Sequence, residues 1–222
     1  MLLARGLERL EAVASEIDGE AEPCDVGDRT QVEEAARRVA ARHPAAHLLI
    51  NNAGIPGRGS FLDVEPERIE AVIRTNYLGS VWCTRAFLPL LEAAAPADVV
   101  NVVSVAGLVA HGASGPYSAA KHAQLAFSRA VGPELRQRGV RVHAVCPGPV
   151  ETAAFPQGNL LERPLAGRTV LQPQQVAEAV LAAVEHDRAE VVLPRYLRLA
   201  GVAQALLPVT VGRFASRLRG RS

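Results

Sequence analysis

Residues 98–121 read DVVNVVSVAGLVAHGASGPYSAAK. Asp98 to Val105 is a valine-rich run of strand length, and from Pro116 to Arg138 the apolar period becomes helical. Ser104 stands at the end of the strand and Tyr117 at the start of the helix. A strand followed by a long helix is one unit of a β–α alternation, and the same alternation continues in both directions.

Upstream, residues 7–17 set Leu7, Leu10, Val13 and Ile17 at helical spacing, and residues 21–26 form a weak short strand. Asp28 caps a helix that presents Val32, Ala35, Ala36 and Val39 on one face. Residues 46–51 are an apolar strand running into Asn51-Asn52-Ala53-Gly54, and a long helix covers about Pro66 to Ala93. Downstream, Val140 to Cys146 is a strand closed by Pro147-Gly148-Pro149, Gln172 to His186 is a helix, and Glu190 to Leu193 is a last strand. Strands alternating with helices predict an α/β fold, a doubly wound parallel sheet covered on both faces. Such sheets bind ligands beyond the carboxyl ends of their strands, where the Asn-Asn-Ala-Gly, Ser104 and Pro147-Gly148 positions fall.

The chain has 222 residues, 49% apolar and 21% charged, which fits one folded domain and excludes a disordered one. A net charge of +1 gives no electrostatic basis for nucleic-acid binding. Cys24, Cys83 and Cys146 are odd in number and lack metal-binding spacing, so a disulfide framework and a zinc site are not expected, and a reducing, cytoplasmic setting is. The start turns charged within five residues, so no secretory signal is expected. The longest charge-free stretch near the end, Leu199 to Gly212, has 14 residues against the roughly 20 of a spanning helix.

Tyr117 and Lys121 are four apart and share a helix face. A free phenol ionises near pH 10, too high for acid–base work at neutrality, and a neighbouring ammonium favours the phenolate. Alone, such a pair is an ordinary surface accident. Here it lies downstream of Ser104 and of Asn76, an asparagine in the middle of a helix that disfavours it.

Together NNAG (51–54), Asn76, Ser104, YSAAK (117–121) and PGPVET (147–152) resemble the short-chain dehydrogenase/reductase family, in its Tyr-x-x-x-Lys branch, in the family's order and over residues 1–193. The resemblance implies a Rossmann-like fold and an NAD(P)-dependent oxidoreductase that interconverts an alcohol and a ketone or aldehyde. It implies that Tyr117 is the general acid/base and that Lys121 lowers its pKa and holds the nicotinamide ribose. Ser104 would hydrogen-bond the substrate oxygen, and Asn76 would bind a relay water. Asn52, Ala53 and Gly54 would line the adenosine side, Asp25 would face the adenine, and Pro147, Gly148, Val150 and Thr152 would contact the nicotinamide end. The family selects its cofactor just after its second strand, where this chain has Ala4 and Arg5; alanine cannot hold the ribose diol and arginine suits a phosphate, so NADP is preferred over NAD. Dimers or tetramers, a small carbonyl or alcohol substrate and no nucleic-acid partner are implied.

The family's opening strand, glycine-rich turn and first helix have no counterpart here. The sequence starts within what resembles the second strand, so the sheet is expected to lack a central strand and the pyrophosphate its main cradle. A functional product is expected to carry roughly 30–40 further residues upstream, the length of a strand–helix unit. The alternative is a truncated, catalytically inactive paralogue acting as a binding or interaction module. Residues 1–194 form the dinucleotide-binding domain in this reading, and 151–172 its lid, with Phe155, Leu160 and Leu161 suiting an apolar substrate. Residues 195–222 are a tail with six arginines and no acidic residue. Packing over the pocket or a subunit interface is preferred for it over contact with a membrane surface.

Overall fold

A computed structural model describes residues 1–57, 59, 62–110, 114–153, 155–157 and 169–211. In chain order they form β1 (Leu2–Ala4), α1 (Leu7–Glu16), β2 (Ala21–Pro23), α2 (Arg29–Arg42), β3 (Leu48–Asn51), α3 (Pro66–Ile73), a π-helical turn (Arg74–Leu78) and α4 (Gly79–Ala93). There follow β4 (Ala97–Val102), α5 (Gly115–Arg136), β5 (Val140–Pro147), α6 (Pro173–Glu185), β6 (Glu190–Leu193) and α7 (Leu197–Leu206).

Every strand pair is parallel, and the central strands are buried on both faces. On one side of β4, Val99 packs with Leu91 of α4 and Leu135 of α5. On the other, Val100 joins Val145, Val180 and Ala183 under α6. Asp28 caps α2 by accepting from the Thr30 and Gln31 amides, and Val32, Ala35, Ala36 and Val39 are buried as their spacing predicts.

The single sheet expected from the sequence is divided. β1 pairs only with β2, while β3-β4-β5-β6 form a separate four-stranded sheet. The hydrogen bonds show which groups face the division. Leu2 donates to Glu20 and Ala4 accepts from Cys24, so the backbone of Leu3 points away from β2. His47 accepts from Asp98, so residues 47, 49 and 51 face β4 and the backbones of Leu48 and Ile50 face the gap. Among the described residues no strand pairs with them; the Ile50 carbonyl accepts from the Asn52 amide at 3.1 Å, within its own loop.

The same gap corrects the reading of α1. Of its four predicted inward residues only Leu10 is buried; Leu7, Val13 and Ile17 are 48%, 38% and 59% exposed, because the described residues bring no element against that side.

The helix expected over 66–93 is also interrupted. At Arg74–Leu78 it widens to a π turn, in which the Gly79 amide bonds to the Arg74 carbonyl. The turn carries Asn76, fully buried, whose Oδ1 accepts from the Ile55 amide and whose Nδ2 donates to the Ile55 carbonyl. A side chain that bonds backbone elsewhere offsets the poor helix propensity of asparagine.

Hydrogen exchange followed by NMR should find the amides of Leu3, Leu48 and Ile50 exchanging far faster than those of Leu49 and Asn51, which point into the β3–β4 ladder. Equal protection would mean that another strand occupies the gap.

Candidate active site

The carboxyl ends of β3, β4 and β5 open onto one cavity of about 2010 Å³. Asn52, Ala53 and Gly54 reach it from the end of β3, Ser104 from beyond β4, and Pro147, Gly148, Val150 and Thr152 from β5 and the loop after it. Tyr117 and Lys121 reach it from the first turns of α5. A site for a small molecule or cofactor occupies about 300–1,000 Å³. The excess is the gap in the sheet, since Leu2, Leu3, Leu48, Leu49 and Ile50 line the same space.

Lys121 is 3% exposed. Its Nζ donates to the Val102 carbonyl at 2.9 Å and to Gln124 Oε1 at 2.8 Å, and lies 5.8 Å from the centre of the Tyr117 ring. Burial drives its pKa down to about 7, opposed by the nearby Cys146. Burial pushes the Cys146 thiol itself up to about 12, so it stays neutral and behaves as a small core residue.

Ser104 caps a short 3₁₀ turn at Val105–Gly107: its Oγ accepts from the Ala106 amide at 3.1 Å and donates to the Pro147 carbonyl at 3.4 Å. It thereby ties the loop after β4 to the end of β5. Gly107 in that turn lies against α5, where an added Cβ would sit 2.7 Å from the Lys121 carbonyl oxygen. The Phe155 ring tilts against Tyr117, with ring centres 5.9 Å apart. Phe155 thus lines the cavity as expected of the 151–172 segment, whereas Leu160 and Leu161 lie outside the described residues.

Three of the sequence candidates are not among the residues lining this cavity. Arg5 follows β1 and Asp25 follows β2, and their side chains, 65% and 34% exposed, pair with each other at 3.7 Å. Asp25 Oδ1 also accepts from the Gly27 amide, closing a local turn. Asn76 is the third. Both ends of its amide are engaged by Ile55, so its side chain fixes the path of the loop after β3.

Sequence reasoning missed the polar network beneath the site. Gln124 is fully buried and its Nε2 donates to Ser80 Oγ at 2.7 Å. Ser128 Oγ donates to the Gln124 carbonyl, Asn101 Nδ2 to Ser128 Oγ, and Asn51 Nδ2 to Asn101 Oδ1 and Thr84 Oγ1. Asn51 therefore braces β3 against β4 and α4. One signal was available: Lys121 is the only lysine among 24 basic side chains, the other 23 being arginine. An always-charged, broad guanidinium cannot replace a titratable, compact amine in a buried position.

In the tail, Leu197 and Ala200 of α7 line the cavity, while Leu199, Val202 and Leu206 are exposed. Arg213, Arg217, Arg219 and Arg221 lie outside the described residues. Among the described residues no cluster of His, Cys, Asp or Glu could hold a metal ion, and no helix is long and apolar enough to cross a membrane. All three cysteines are buried and unpaired.

The family model described as short chain dehydrogenase matches residues 1–160. The chain is 37% identical to 1-deoxy-11-beta-hydroxypentalenate dehydrogenase of Streptomyces exfoliatus over 144 residues, 64% of this chain and 52% of that protein. Among solved structures it is similar to an actinorhodin polyketide ketoreductase variant with NADPH (28% identity, TM-score 0.77, 88% of this chain and 85% of that one). It is also similar to an alcohol dehydrogenase of the archaeon Thermococcus sibiricus complexed with 5-hydroxy-NADP (25% identity, TM-score 0.74, 86% and 83%). The matched part of the chain spans between 52% and 69% of the length of the curated relatives compared.

The lowered pKa of Lys121 makes stability depend on pH. Between about 7 and the ordinary 10.5 the unfolded chain holds a proton that the folded chain has lost, so this site's contribution rises with pH across that window. Below it, both states are charged and the whole cost of burying the ammonium is felt. Lys121→Met removes that cost. Its melting temperature should therefore stand highest relative to the native chain at and below pH 7, with the advantage shrinking as pH rises. A constant difference would mean that Lys121 titrates at its ordinary value.

Proposed function

The chain belongs to the short chain dehydrogenase family, and from that premise we propose that it is an NADP-dependent oxidoreductase interconverting an alcohol and a ketone or aldehyde. The observation that carries this reading is the convergence of Ser104, Tyr117 and Lys121 on one cavity with Asn52-Ala53-Gly54 on one flank and Pro147, Gly148, Val150 and Thr152 on the other.

The residues present fit most of a dinucleotide. The post-β3 loop would line its adenosine side and the post-β5 loop its nicotinamide end, as the family resemblance assigns them. Arg5 would meet a 2′-phosphate after exchanging its exposed partner Asp25 for it; Asp25, beside it, would face the adenine. Among the described residues no glycine-rich turn stands where the pyrophosphate would lie, and a strand–turn–helix unit paired in the gap between β1 and β3 would supply one. When bound, the cofactor supplies or accepts the hydride.

The protein's own part is proton handling and position. In reduction, the Tyr117 hydroxyl gives its proton to the carbonyl oxygen as negative charge develops there, and Ser104 Oγ donates a second hydrogen bond to the same oxygen. In oxidation, the Tyr117 phenolate takes the alcohol proton. The Lys121 ammonium stabilises the phenolate in both directions and, once the ribose is near, would bond it. Asn76 acts one step removed, by holding Ile55 and the loop that begins at Asn52. The apolar Phe155 against Tyr117 favours a moderately apolar substrate. A homo-oligomer built on the long helices accompanies this reading.

A second reading has its own observation. With the gap open, the chain as given would be an inactive relative that binds through its unpaired strand edges. Turnover decides between them. NADPH oxidation against a panel of aldehydes and ketones should be detectable, and Tyr117→Phe should lower it at least about a hundred-fold while leaving NADPH affinity nearly unchanged. Absence of turnover with every substrate, both for this chain and for one extended by a strand–turn–helix unit that could fill the gap, would favour the second reading. Arg5→Ala should weaken NADP relative to NAD by about ten-fold, the worth of one charged hydrogen bond; an unchanged ratio would remove Arg5 from cofactor selection.

A further inference from the structure

We propose that Gln124, braced by Ser80, is a positioning residue that holds the Lys121 amine at the Tyr117 end of α5 and keeps it protonated. The inference rests on the oxidoreductase reading for its purpose but not for its test.

A glutamine has no business in an apolar helix–sheet seam unless both ends of its amide are matched, because an unmatched buried amide is strongly unfavourable. Gln124 is fully buried one helical turn beyond Lys121, on the same face of α5. Its two ends have opposite partners. Oε1 accepts from Lys121 Nζ at 2.8 Å, and Nε2 donates to Ser80 Oγ at 2.7 Å. A flipped amide would set its N–H groups against the donors of Lys121, so the pair of contacts fixes the amide orientation. Ser80 is itself buried, in the first turn of α4 directly after the π turn. Gln124 therefore connects the lysine to the element that carries Asn76.

The second acceptor is the Val102 carbonyl at the end of β4. Between them, one strand-end carbonyl and one side-chain carbonyl grip two of the three ammonium donors. The third remains for Tyr117 or a ligand. Among the described residues no carboxylate pairs with Lys121, so these two oxygen dipoles are what offset the burial of its charge. The titratable groups that face it are the Tyr117 phenol on its own helix and the Cys146 thiol on β5; Val102 of β4 and Ser80 of α4 bring none. Loss of the Gln124 acceptor would favour the neutral amine and remove the positive neighbour from the phenol.

The solitary lysine makes this directly readable. With ¹³C-labelled lysine the whole chain gives one set of side-chain signals, and their pH titration reports Lys121 alone. Gln124→Leu, close in volume, should lower the proton affinity of Lys121 by about ten-fold, the equivalent of one hydrogen bond to a charged group. Ser80→Ala, which leaves Gln124 in place but unbraced, should shift it in the same direction by less. Gln124→Glu restores an acceptor and adds charge, so it should raise the affinity above the native value. A purely packing role for Gln124 predicts lower melting temperatures with an unmoved Lys121 midpoint, and that result overturns the proposal, as does a shift of the same sign for Gln124→Leu and Gln124→Glu. If Gln124→Leu does not fold, the opposite signs of Ser80→Ala and Gln124→Glu decide the matter alone. None of these readings requires turnover. Titration shifts as described in a chain without turnover would sustain the positioning role and count against the oxidoreductase reading only.

Discussion

The burial of one ammonium at the seam between β4 and α5 is the constraint on which the site depends. An exposed lysine would keep its proton and exert little pull on a phenol through water, whereas a buried one acts through a low dielectric. Burial brings a desolvation cost, and the surrounding architecture answers it. The carbonyl of Val102 is available because it lies beyond the last pairing of β4 with β3, at Asn101 and Asn51. The carbonyl of Gln124 is available because Ser80 holds the other end of the amide. The chain of contacts onward through Ser128, Asn101 and Asn51 leaves these buried polar groups matched and couples two strands, β3 and β4, and two helices, α4 and α5, around the amine. Such networks specify one arrangement, since a slip of any member strands another.

The division of the sheet has a different physical origin. Within each sheet the ladders are regular, and the valines of β4 and β5 are buried from both sides. At the division the chain leaves hydrogen-bonding edges and apolar side chains facing a cavity, with Ile50 44% and Leu48 39% exposed. Exposed edges of that kind are usually blunted by charge, proline or a covering element. Neither β1 nor β3 has such protection among the described residues, so the two edges form a matched acceptor surface for an extended segment. Helix α1 repeats the pattern, since three of the four residues its periodicity assigned to the core, Leu7, Val13 and Ile17, are exposed.

Elements that depend on local chemistry were legible in the sequence. The Asp28 cap and the helical face Val32-Ala35-Ala36-Val39 need only near neighbours to declare themselves and appear where expected, while the valine run expected to be strand over 98–105 is strand only to Val102, with Val105 already in a 3₁₀ turn. The gathering of Asn52, Ser104, Tyr117 and Pro147 at the strand ends followed from the parallel topology. What could not be read is set by distant partners. Gln124 reads as an ordinary polar helix residue until Ser80, 44 positions away, is seen beside it. Asn76 was noticed as an anomaly, but its resolution lies 21 residues upstream at Ile55. Arg5 and Asp25 read as separate charges at strand ends until their 3.7 Å pairing is seen.

These features meet at the carboxyl end of the division. A segment entering between β1 and β3 in parallel with its neighbours would leave the sheet beside Ala4 on one side and Asn51 on the other. Those positions lead directly to Arg5 and to Asn52-Ala53-Gly54, the residues assigned to the cofactor. The backbone of such a segment would therefore emerge where a pyrophosphate must be held, and any turn it makes would present amides to it. Pairing with Leu3, Leu48 and Ile50 and binding an anion at the turn would be favourable in the same state and in no other. Two processes that stabilise one state reinforce each other by linkage. On the proposed reading, completion of the sheet and binding of a dinucleotide would therefore be linked, each favouring the other.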